Sequence, residues 1–325
     1  PRPMQFNEYR LTARLGVAWP GIVAIAIVGF WLGLWTNLVP SPASLGSAAG
    51  YASLLKPQEI AFVPSVVKLR QLFARIEYDL DTVRSGERMV PPLYLTSVPR
   101  GMRKIHQPAE RKQVFLRMML PLVLKANEGM RVERNRLLRI KHAQETGSVI
   151  SDDDRVYLKN MARRYGVRKP SIDLLLSRVD ILPVSIALAQ SAIESGWGTS
   201  RFVLEGNAPF GQWTTASFKG LVPKDRTDGK THKIRAFDDL YESVRSYIHN
   251  LNTHRAYRRF RAMRETMRAS GTRLDSLTLI SSLKSYSEKG DAYVKLLKNV
   301  IVVNQLEPLD RARLGERMPR GETGV

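Results

Sequence analysis

One carboxylate stands out in the stretch ALAQSAIESGWGTSRF, residues 187 to 202. Glu194 ends a run of small and apolar helix-forming residues and directly precedes the helix-breaking sequence Ser195-Gly196-Trp197-Gly198. The negative end of a helix macrodipole and burial beside Trp197 would both raise the pKa of this acid. An acid that stays protonated near neutral pH can act as a general acid and protonate a leaving oxygen. The alternative is that Glu194 simply reaches solvent at a helix end.

The element that must position Glu194 is a helix that begins at Pro183. Proline is favoured at the first position of a helix, where its missing N–H costs nothing. The residues from Ile186 to Ile193 make this helix apolar on most of its sides. A helix of this kind is buried. The sequence therefore predicts a buried helix with one acid in its last turn.

The sequence lacks the motifs that are typical of several other kinds of catalytic site. Ser195 and Gly196 do not belong to a G-x-S-x-G nucleophile motif, and no G-x-x-x-x-G-K-[ST] phosphate-binding loop occurs. His249 and His254 are five residues apart and do not share a helix face, which argues against a metal pair. The chain has no cysteine, which excludes disulfides and thiolate chemistry. The sequence therefore indicates neither a metal nor a cofactor.

The charge of the chain favours a polyanionic partner. Its 51 Lys and Arg residues stand against 30 Asp and Glu residues, for a formal net charge of +21 among 325 residues. Nucleic acid, acidic lipid and cell-wall glycan would all suit this charge. The basic residues are dispersed along the chain, and no nucleic-acid-binding signature occurs. A nucleic-acid partner is therefore not expected.

The N-terminal part contains a membrane-spanning signal. No charged residue occurs from Leu15 to Leu55, and Val17 to Trp35 is nearly continuous apolar sequence, where about 20 residues suffice to span a bilayer. Three arginines precede this run and favour a cytoplasmic N-terminus. We expect an inner-membrane anchor with the catalytic domain in the periplasm. The alternative is a signal peptide cleaved near Gly46 to Gly50, with secretion to the periplasm.

Helical periodicity follows a linker rich in Pro, Gly, Ala and Ser. One helix is predicted from Pro64 to Leu80, and a second from Pro108 to near Gly147, which Pro121 is expected to kink or divide. Ser151 is predicted to cap a third helix that ends at Arg164. The segment from residue 56 to residue 165 is thus expected to be all-helical. The predicted organisation is a cytoplasmic tail (1–14), an anchor or signal sequence (15–37), a linker (38–63), a helical extension (64–165), a second domain (166–310) and a disordered tail (311–325).

Four sequence blocks resemble one known family. They are ALAQSAIESGWGTSRF around Glu194, GNAPFGQW at residues 206 to 213, and the stretches from residue 237 to 261 and from 283 to 301. In order and spacing they are similar to the glucosaminidase family of bacterial cell-wall hydrolases, in particular its Bax-type members from Gram-negative bacteria. The stretch ERKQVFLRMMLPLVLKANEGMRVERNRLL also resembles the Bax-type extension. The resemblance covers residues 60 to 310.

The resemblance implies a fold, an activity and site residues. The fold would be mainly α, a lysozyme-like helical domain with a small β-hairpin lobe, preceded by the helical extension and the transmembrane helix. The activity would be cleavage of the β-1,4 bond after N-acetylglucosamine in the glycan strands of peptidoglycan. Glu194 would be the catalytic acid and Tyr286 the active-site tyrosine. The substrate-binding candidates are Trp197, Phe210, Gln212, Trp213 and Tyr293.

A second catalytic acid is predicted on a hairpin. The letters TDGK between two short strand-like runs predict a turn around Gly229. Related enzymes carry an acid four residues before such a turn glycine, a place that Asp225 occupies here, whereas Asp228 is expected to cap the turn. The alternative is that Asp225 is a solvated loop acid and that the acetamido group of the substrate takes its role.

Two other functions fit parts of the sequence. A lytic transglycosylase also uses one Glu followed by Ser, but FGQW stands where those enzymes have a Gly-Leu-Met-Gln type of block. A non-catalytic, membrane-anchored protein that binds peptidoglycan would need only the basic surface. The presence of Glu194 argues against that second alternative.

Overall fold

The computed structural model describes residues 60–169, 171–214, 219–223 and 233–316. Within these residues the chain is mainly helical and carries two small sheets. The helices are α1 (Val66–Arg75), α2 (Leu80–Ser85), α3 (Pro108–Glu145), α4 (Asp152–Arg164), α5 (Ile172–Arg178), α6 (Val184–Ser195), α7 (Arg201–Gly206), α8 (Leu240–Thr253), α9 (Arg258–Ala269), α10 (Ser276–Leu279) and α11 (Asp291–Val303). The strands are β1 (Ile60–Ala61), β2 (Tyr94–Leu95), β3 (Trp213–Thr214), β4 (Gly220–Leu221) and β5 (Lys233–Arg235).

The membrane anchor predicted for residues 15–37 lies outside the described residues. Among the helices that the structure describes, none combines the length and the apolar character that a bilayer crossing requires.

The first predicted helix divides into two. The predicted stripe is buried, since Leu69 and Phe73 are at most 1% exposed. However, α1 ends at Arg75, and Glu77 has a φ of 48°, which breaks the helical path. The side chain of Asp79 then accepts hydrogen bonds from the backbone N–H groups of Asp81 and Thr82 and so caps α2. The prediction of one continuous helix as far as Leu80 was therefore wrong.

A small sheet lies within residues 56 to 165, where only helices were predicted. Strands β1 and β2 pair in parallel, Ile60 with Tyr94 and Ala61 with Leu95. Prolines such as Pro91 and Pro92 lack the N–H that a helix interior needs, so the segment around them takes extended backbone instead.

Helix α3 is the longest element of the described chain, with 38 residues. Pro108 stands in its first turn as predicted, but Pro121 does not divide it. The residues around Pro121 are almost fully buried, and α3 packs along both α6 and α8. This packing offsets the hydrogen bond that the proline removes. Ser151 caps α4, which ends at Arg164 as predicted.

The small C-terminal sheet is a three-stranded antiparallel sheet in the order β3-β5-β4. In the pairing of β4 with β5, Gly220 lies opposite Arg235 and Leu221 opposite Ile234. The two strands of the predicted hairpin lobe therefore pair as expected. Asp225 and its turn belong to residues 224–232, outside the described part of the chain.

One hydrophobic core joins the extension to the C-terminal helices. It contains Met118 and Leu122 from α3, Leu188 from α6 and Val244 from α8, all 0% exposed. Because α6 packs against α3 of the extension and against α11, its position depends on residues from both parts of the chain.

Candidate active site

Helix α6 is buried along its length, as the sequence predicts. Ala187, Leu188 and Ala189 are 0% exposed, and Glu194 is 8% exposed in the last turn. The helix begins at Val184, one residue later than predicted, because Pro183 keeps extended backbone and occupies the cap position. The small side chains allow neighbouring helices to approach closely and leave Glu194 little contact with water.

The start of α6 is held by an acid from far along the chain. Pro183 supplies no side-chain cap. Instead, the carboxylate of Asp310 accepts hydrogen bonds from the backbone N–H of Ser185 at 2.7 Å and from its hydroxyl at 2.8 Å. These bonds satisfy a first-turn N–H that has no partner within its own helix. Burial raises the pKa of Asp310 to about 6, although both bonds from Ser185 oppose the rise.

The end of α6 is a turn of three residues in the left-handed region. Gly196, Trp197 and Gly198 have φ values of 57°, 58° and 79°. The hydroxyl of Ser195 donates to the carbonyl of Ser191 and accepts from the N–H of Gly198 at 3.0 Å. The two glycines serve the backbone turn, as expected, whereas Trp197 adopts a conformation that L residues rarely take. The turn stops the helix directly after Glu194.

Burial dominates the electrostatics of Glu194. It raises the pKa of the carboxyl from 4.5 to about 7, while a hydrogen bond from Tyr293 and the charge of Lys289 lower it. The hydroxyl of Tyr293 donates to Oε1 of Glu194 at 3.0 Å. Thus Glu194 is partly protonated near neutral pH, as the sequence argument predicted.

Two further polar residues extend this hydrogen bond into a chain. The amide Nε2 of Gln190 donates to the hydroxyl oxygen of Tyr293 at 3.0 Å. The hydroxyl of Tyr247 donates to Oε1 of Gln190. We call the side chains of Tyr247, Gln190 and Tyr293 the relay, because they connect in that order to Glu194. Gln190 was not predicted as a site residue, although it precedes Glu194 by four residues and so lies on the same helix face.

Tyr286 lies in the aromatic cluster around the relay. Its ring stacks on Tyr293 with centroids 5.6 Å apart and an interplanar angle of 12°. Its hydroxyl donates to the carbonyl of Phe210 at 3.3 Å. The hydroxyl that contacts Glu194 therefore belongs to Tyr293, not to Tyr286.

Two of the predicted substrate-binding residues are buried. Phe210 is 2% exposed and stacks on Tyr247 with centroids 3.8 Å apart, so its ring supports the relay. Tyr293 is 3% exposed and offers its hydroxyl to Glu194. Neither ring presents a face to a ligand.

Gln212 and Trp213 follow the turn at Gly211, whose φ is 61°. Trp213 lies on β3 opposite Ile234 and is 36% exposed. The side-chain Oε1 of Gln212 is shielded from solvent, and no hydrogen-bond donor reaches it from the described part of the chain. These two residues remain candidates for substrate contact.

Comparisons with known proteins agree with the four blocks. The family model described as mannosyl-glycoprotein endo-beta-N-acetylglucosaminidase matches residues 169–306. Protein Bax of Escherichia coli strain K12 is 33% identical over 241 residues, which are 72% of this chain and 81% of that protein. The chain belongs to the glucosaminidase family and is of the Bax type. It is accordingly a glycoside hydrolase by family. No solved structure matches it.

In this Bax-type glucosaminidase, residues outside the matched range 169–306 hold the turn after Glu194. Phe115 of α3 meets Trp197 edge-on at 5.9 Å, and the ammonium of Lys112 lies 5.1 Å from the centre of the same ring. Arg103 Nε donates to the carbonyl of Thr199 at 2.8 Å. A side chain at Gly198 would stand 2.9 Å from the Phe115 ring. Trp197 thus contacts the extension.

The titratable groups that contribute to the pKa of Glu194, or whose own pKa values it raises, are four tyrosines from four helical segments and one lysine from a turn. They are Tyr247, Tyr257, Tyr286, Lys289 and Tyr293. No carboxylate of the described residues appears among the groups that shift the pKa of Glu194. The position of Asp225 lies outside those residues.

Proposed function

We propose that this Bax-type glucosaminidase hydrolyses the β-1,4 bond after N-acetylglucosamine in peptidoglycan, with Glu194 as the general acid. The observation that carries the proposal is the buried carboxyl of Glu194, whose pKa is about 7 and which receives a hydrogen bond from Tyr293. A carboxyl with this pKa carries a proton in a large fraction of molecules near neutral pH and can release it in the reaction. The membership in a family of glycosidases supports the same role.

The reaction needs the proton of Glu194 at one oxygen. Protonation of the glycosidic oxygen lets the bond to the anomeric carbon break, which leaves an oxocarbenium-like sugar. As the proton leaves, Glu194 becomes a carboxylate, and the hydrogen bond from Tyr293 and the positive charge of Lys289 stabilise the new charge. Burial favours the protonated acid, whereas Tyr293 and Lys289 favour the carboxylate. The surroundings of Glu194 therefore suit both protonation states.

A second group must stabilise the sugar cation or activate water. Asp225 or the acetamido group of the substrate would fill this role. If Asp225 acts, Asp225→Asn should lower turnover of peptidoglycan by about 100-fold or more, the usual effect of a lost acid or base. Asp228→Asn, three residues further along the sequence and predicted only to cap the turn, is the matched control. Turnover that stays within a factor of about two for Asp225→Asn would assign the role to the acetamido group of the substrate or to another acid.

A polyanionic glycan also suits the charge and the surface candidates. The net charge of +21 attracts the carboxylates of peptidoglycan stem peptides. Trp213 can stack on a sugar face, and the unpartnered oxygen of Gln212 can accept from an acetamido N–H. We further propose that the catalytic part lies in the periplasm, on the basis of the apolar run from Val17 to Trp35.

The test identifies the glycan ends that the chain produces. The full chain is incubated with purified peptidoglycan, and the products are analysed by mass spectrometry. New N-acetylglucosamine reducing ends would support the proposal. Anhydromuramic ends would make the chain a lytic transglycosylase, and sedimentation with the polymer without new ends would make it a binding protein.

The variant Glu194→Gln keeps the shape of the side chain and removes its acid. It should lower hydrolysis by more than about 100-fold while the fold persists. Glu205→Gln is the matched control, since Glu205 is an exposed carboxylate on the next helix, α7. Full activity of a folded Glu194→Gln chain would refute the role of Glu194.

A further inference from the structure

We propose that Gln190 and Tyr247 are positioning residues that keep the acid proton of Glu194 on Oε2, the carboxyl oxygen that Tyr293 does not contact. The inference rests on the proposed role of Glu194 as general acid and assigns a function to two side chains that do not touch it. It follows from the direction of three hydrogen bonds.

The first bond fixes the orientation of the Gln190 amide. Tyr247 is 0% exposed, and its ring stacks on Phe210 at an interplanar angle of 4°. Burial raises the pKa of Tyr247 well above its usual value, so its hydroxyl keeps its proton. Because this hydroxyl donates to Oε1 of Gln190, the amide nitrogen must point the other way.

The second bond fixes the hydroxyl of Tyr293. An amide N–H can only donate, and Nε2 of Gln190 donates to the oxygen of Tyr293 at 3.0 Å. The single proton of that hydroxyl is then free only for an acceptor, which is Oε1 of Glu194 at 3.0 Å. Tyr293 is therefore a donor to Glu194 at all times and never an acceptor from it.

The third bond decides where Glu194 carries its own proton. A protonated carboxyl has one O–H. If its proton were on Oε1 and pointed toward Tyr293, it would collide with the proton that Tyr293 donates to the same oxygen. The acid proton therefore resides on Oε2, where it is available to a leaving oxygen. Without the amide of Gln190, Tyr293 could rotate and accept the acid proton, which would withdraw it from the substrate.

The relay could instead be a purely structural set of buried hydrogen bonds, since buried polar groups are usually paired. The two explanations differ in their effect on the titration of Glu194. A donor that always faces the carboxylate lowers its pKa, so loss of the relay should raise it. The other groups that face Glu194 stay in place in the variants below, namely Lys289, Tyr257 and Tyr286.

The test combines Gln190→Met and Tyr247→Phe in the full chain, each of which keeps the approximate size of the side chain. The carboxyl of Glu194 is titrated by carbon-13 NMR and assigned by its loss in Glu194→Gln. Each variant should raise the pKa of Glu194 by about half a unit to one unit, the equivalent of one hydrogen bond. The kcat on peptidoglycan should fall about tenfold, less than the loss of the acid itself would cause.

Ser191→Ala is the matched control on the same helix. Ser191 is also 0% exposed, and its hydroxyl donates to the carbonyl of Leu188, outside the relay. This variant should leave the titration of Glu194 unchanged. A shift as large as that of Gln190→Met would mean that any loss of a polar group in α6 has the same effect, and would overturn the proposal.

A double-mutant cycle supplies the decisive comparison. If Gln190 acts through Tyr293, then Gln190→Met should not shift the pKa of Glu194 further in a Tyr293→Phe background, because the effects of coupled residues do not add. Additive shifts, or no shift in Gln190→Met and Tyr247→Phe, would overturn the proposal. The titration needs no catalysis, so an inactive wild-type chain with the expected shifts would refute the proposed function and leave the relay intact.

Discussion

The carboxyl of Glu194 binds its proton more tightly in the folded chain than in an unfolded one. Its pKa rises from 4.5 to about 7 on burial. Between these values the folded state holds more protons than the unfolded state, so the free energy of unfolding falls as the pH rises through this window. The charge of Glu194 therefore destabilises the fold above neutral pH.

The variant Glu194→Gln should be more stable than the wild type under alkaline conditions. We expect the free energy of unfolding to rise by about 1 to 3 kcal/mol at about pH 8, and to be nearly unchanged at about pH 4, where both states are protonated. Urea unfolding at the two pH values measures the difference. A gain of equal size at both values would show that the charge of Glu194 is not its cause.

The same pKa predicts the pH dependence of activity. Since the proposed general acid acts only when it is protonated, kcat/KM should fall about tenfold for each pH unit above the pKa of Glu194. The midpoint of this alkaline limb should lie at about 7. Initial rates on peptidoglycan across the pH range, with folding checked at each point, measure it. An activity that is constant from about pH 6 to about pH 9 would contradict the role of Glu194.

At the scale of single residues, the sequence predicted the burial and the raised pKa of Glu194 but not the residues that surround it. The burial and the raised pKa of Glu194 followed from its place at the end of an apolar helix. Its hydrogen-bond partner did not, because Tyr293 lies 99 residues further along the chain. A pairing at such a distance leaves no local signal in the sequence, so the hydrogen bond from Tyr293 to Glu194 was not predicted.

At the scale of elements, the turn after α6 is shaped by the extension. Gly198 combines a φ of 79° with the ring of Phe115 at 2.9 Å from the place of a Cβ atom. The turn therefore needs glycine for two separate reasons, backbone conformation and space. The extension and the turn cannot be altered independently.

Two glycine variants separate these reasons. Gly198→Ala should lower the free energy of unfolding by about 2 to 4 kcal/mol, from strain and overpacking together. Gly271→Ala is the matched control, because Gly271 has a φ of 67° and nothing within 4 Å of its Cβ position, and it should lose only about 1 kcal/mol. Thermal and urea unfolding compare the two, and equal losses would contradict a role for Phe115.

Local signals predicted element ends better than element continuity. Ser151 caps α4 as predicted, since a cap depends on the next few residues only, and Asp239 caps α8 in the same way. Pro121 was expected to kink or divide α3, and it does not divide it, because packing from α6 and α8 overrides the local preference. The pairing of β1 with β2 joins residues more than thirty positions apart, so no signal within either segment predicted that the two would pair.

At the scale of the whole molecule, hydrogen bonds from Ser185 to Asp310 hold the start of α6 in place. The variant Asp310→Ala removes both bonds to Ser185 and should lower the free energy of unfolding by about 1 to 3 kcal/mol. Asp275→Ala is the control, an exposed cap that accepts only from residues of its own short helix, α10, and it should lose less, about 1 kcal/mol. Equal losses in urea unfolding would contradict the special role of Asp310.

The two buried acids act in the same direction on the stability of the chain. Burial raises the pKa of Asp310 from 3.8 to about 6 and that of Glu194 from 4.5 to about 7. In both cases the folded state holds the proton more tightly, so both contributions reduce stability as the pH rises through these windows. The hydrogen bonds of Asp310 are therefore formed at the cost of a buried charge.

The bond between Ser185 and Asp310 also has a consequence for the newly made chain. Ser185 leaves the ribosome 125 residues before its partner, so the helix that carries Glu194 emerges with its first turn open. The helices of the extension have already emerged by then and can shelter its apolar sides. A nascent chain that stalls before residue 310 therefore lacks the acceptor for the backbone N–H and the hydroxyl of Ser185. The hydrogen bonding at the start of the helix that carries Glu194 is thus completed only after residue 310 has been made.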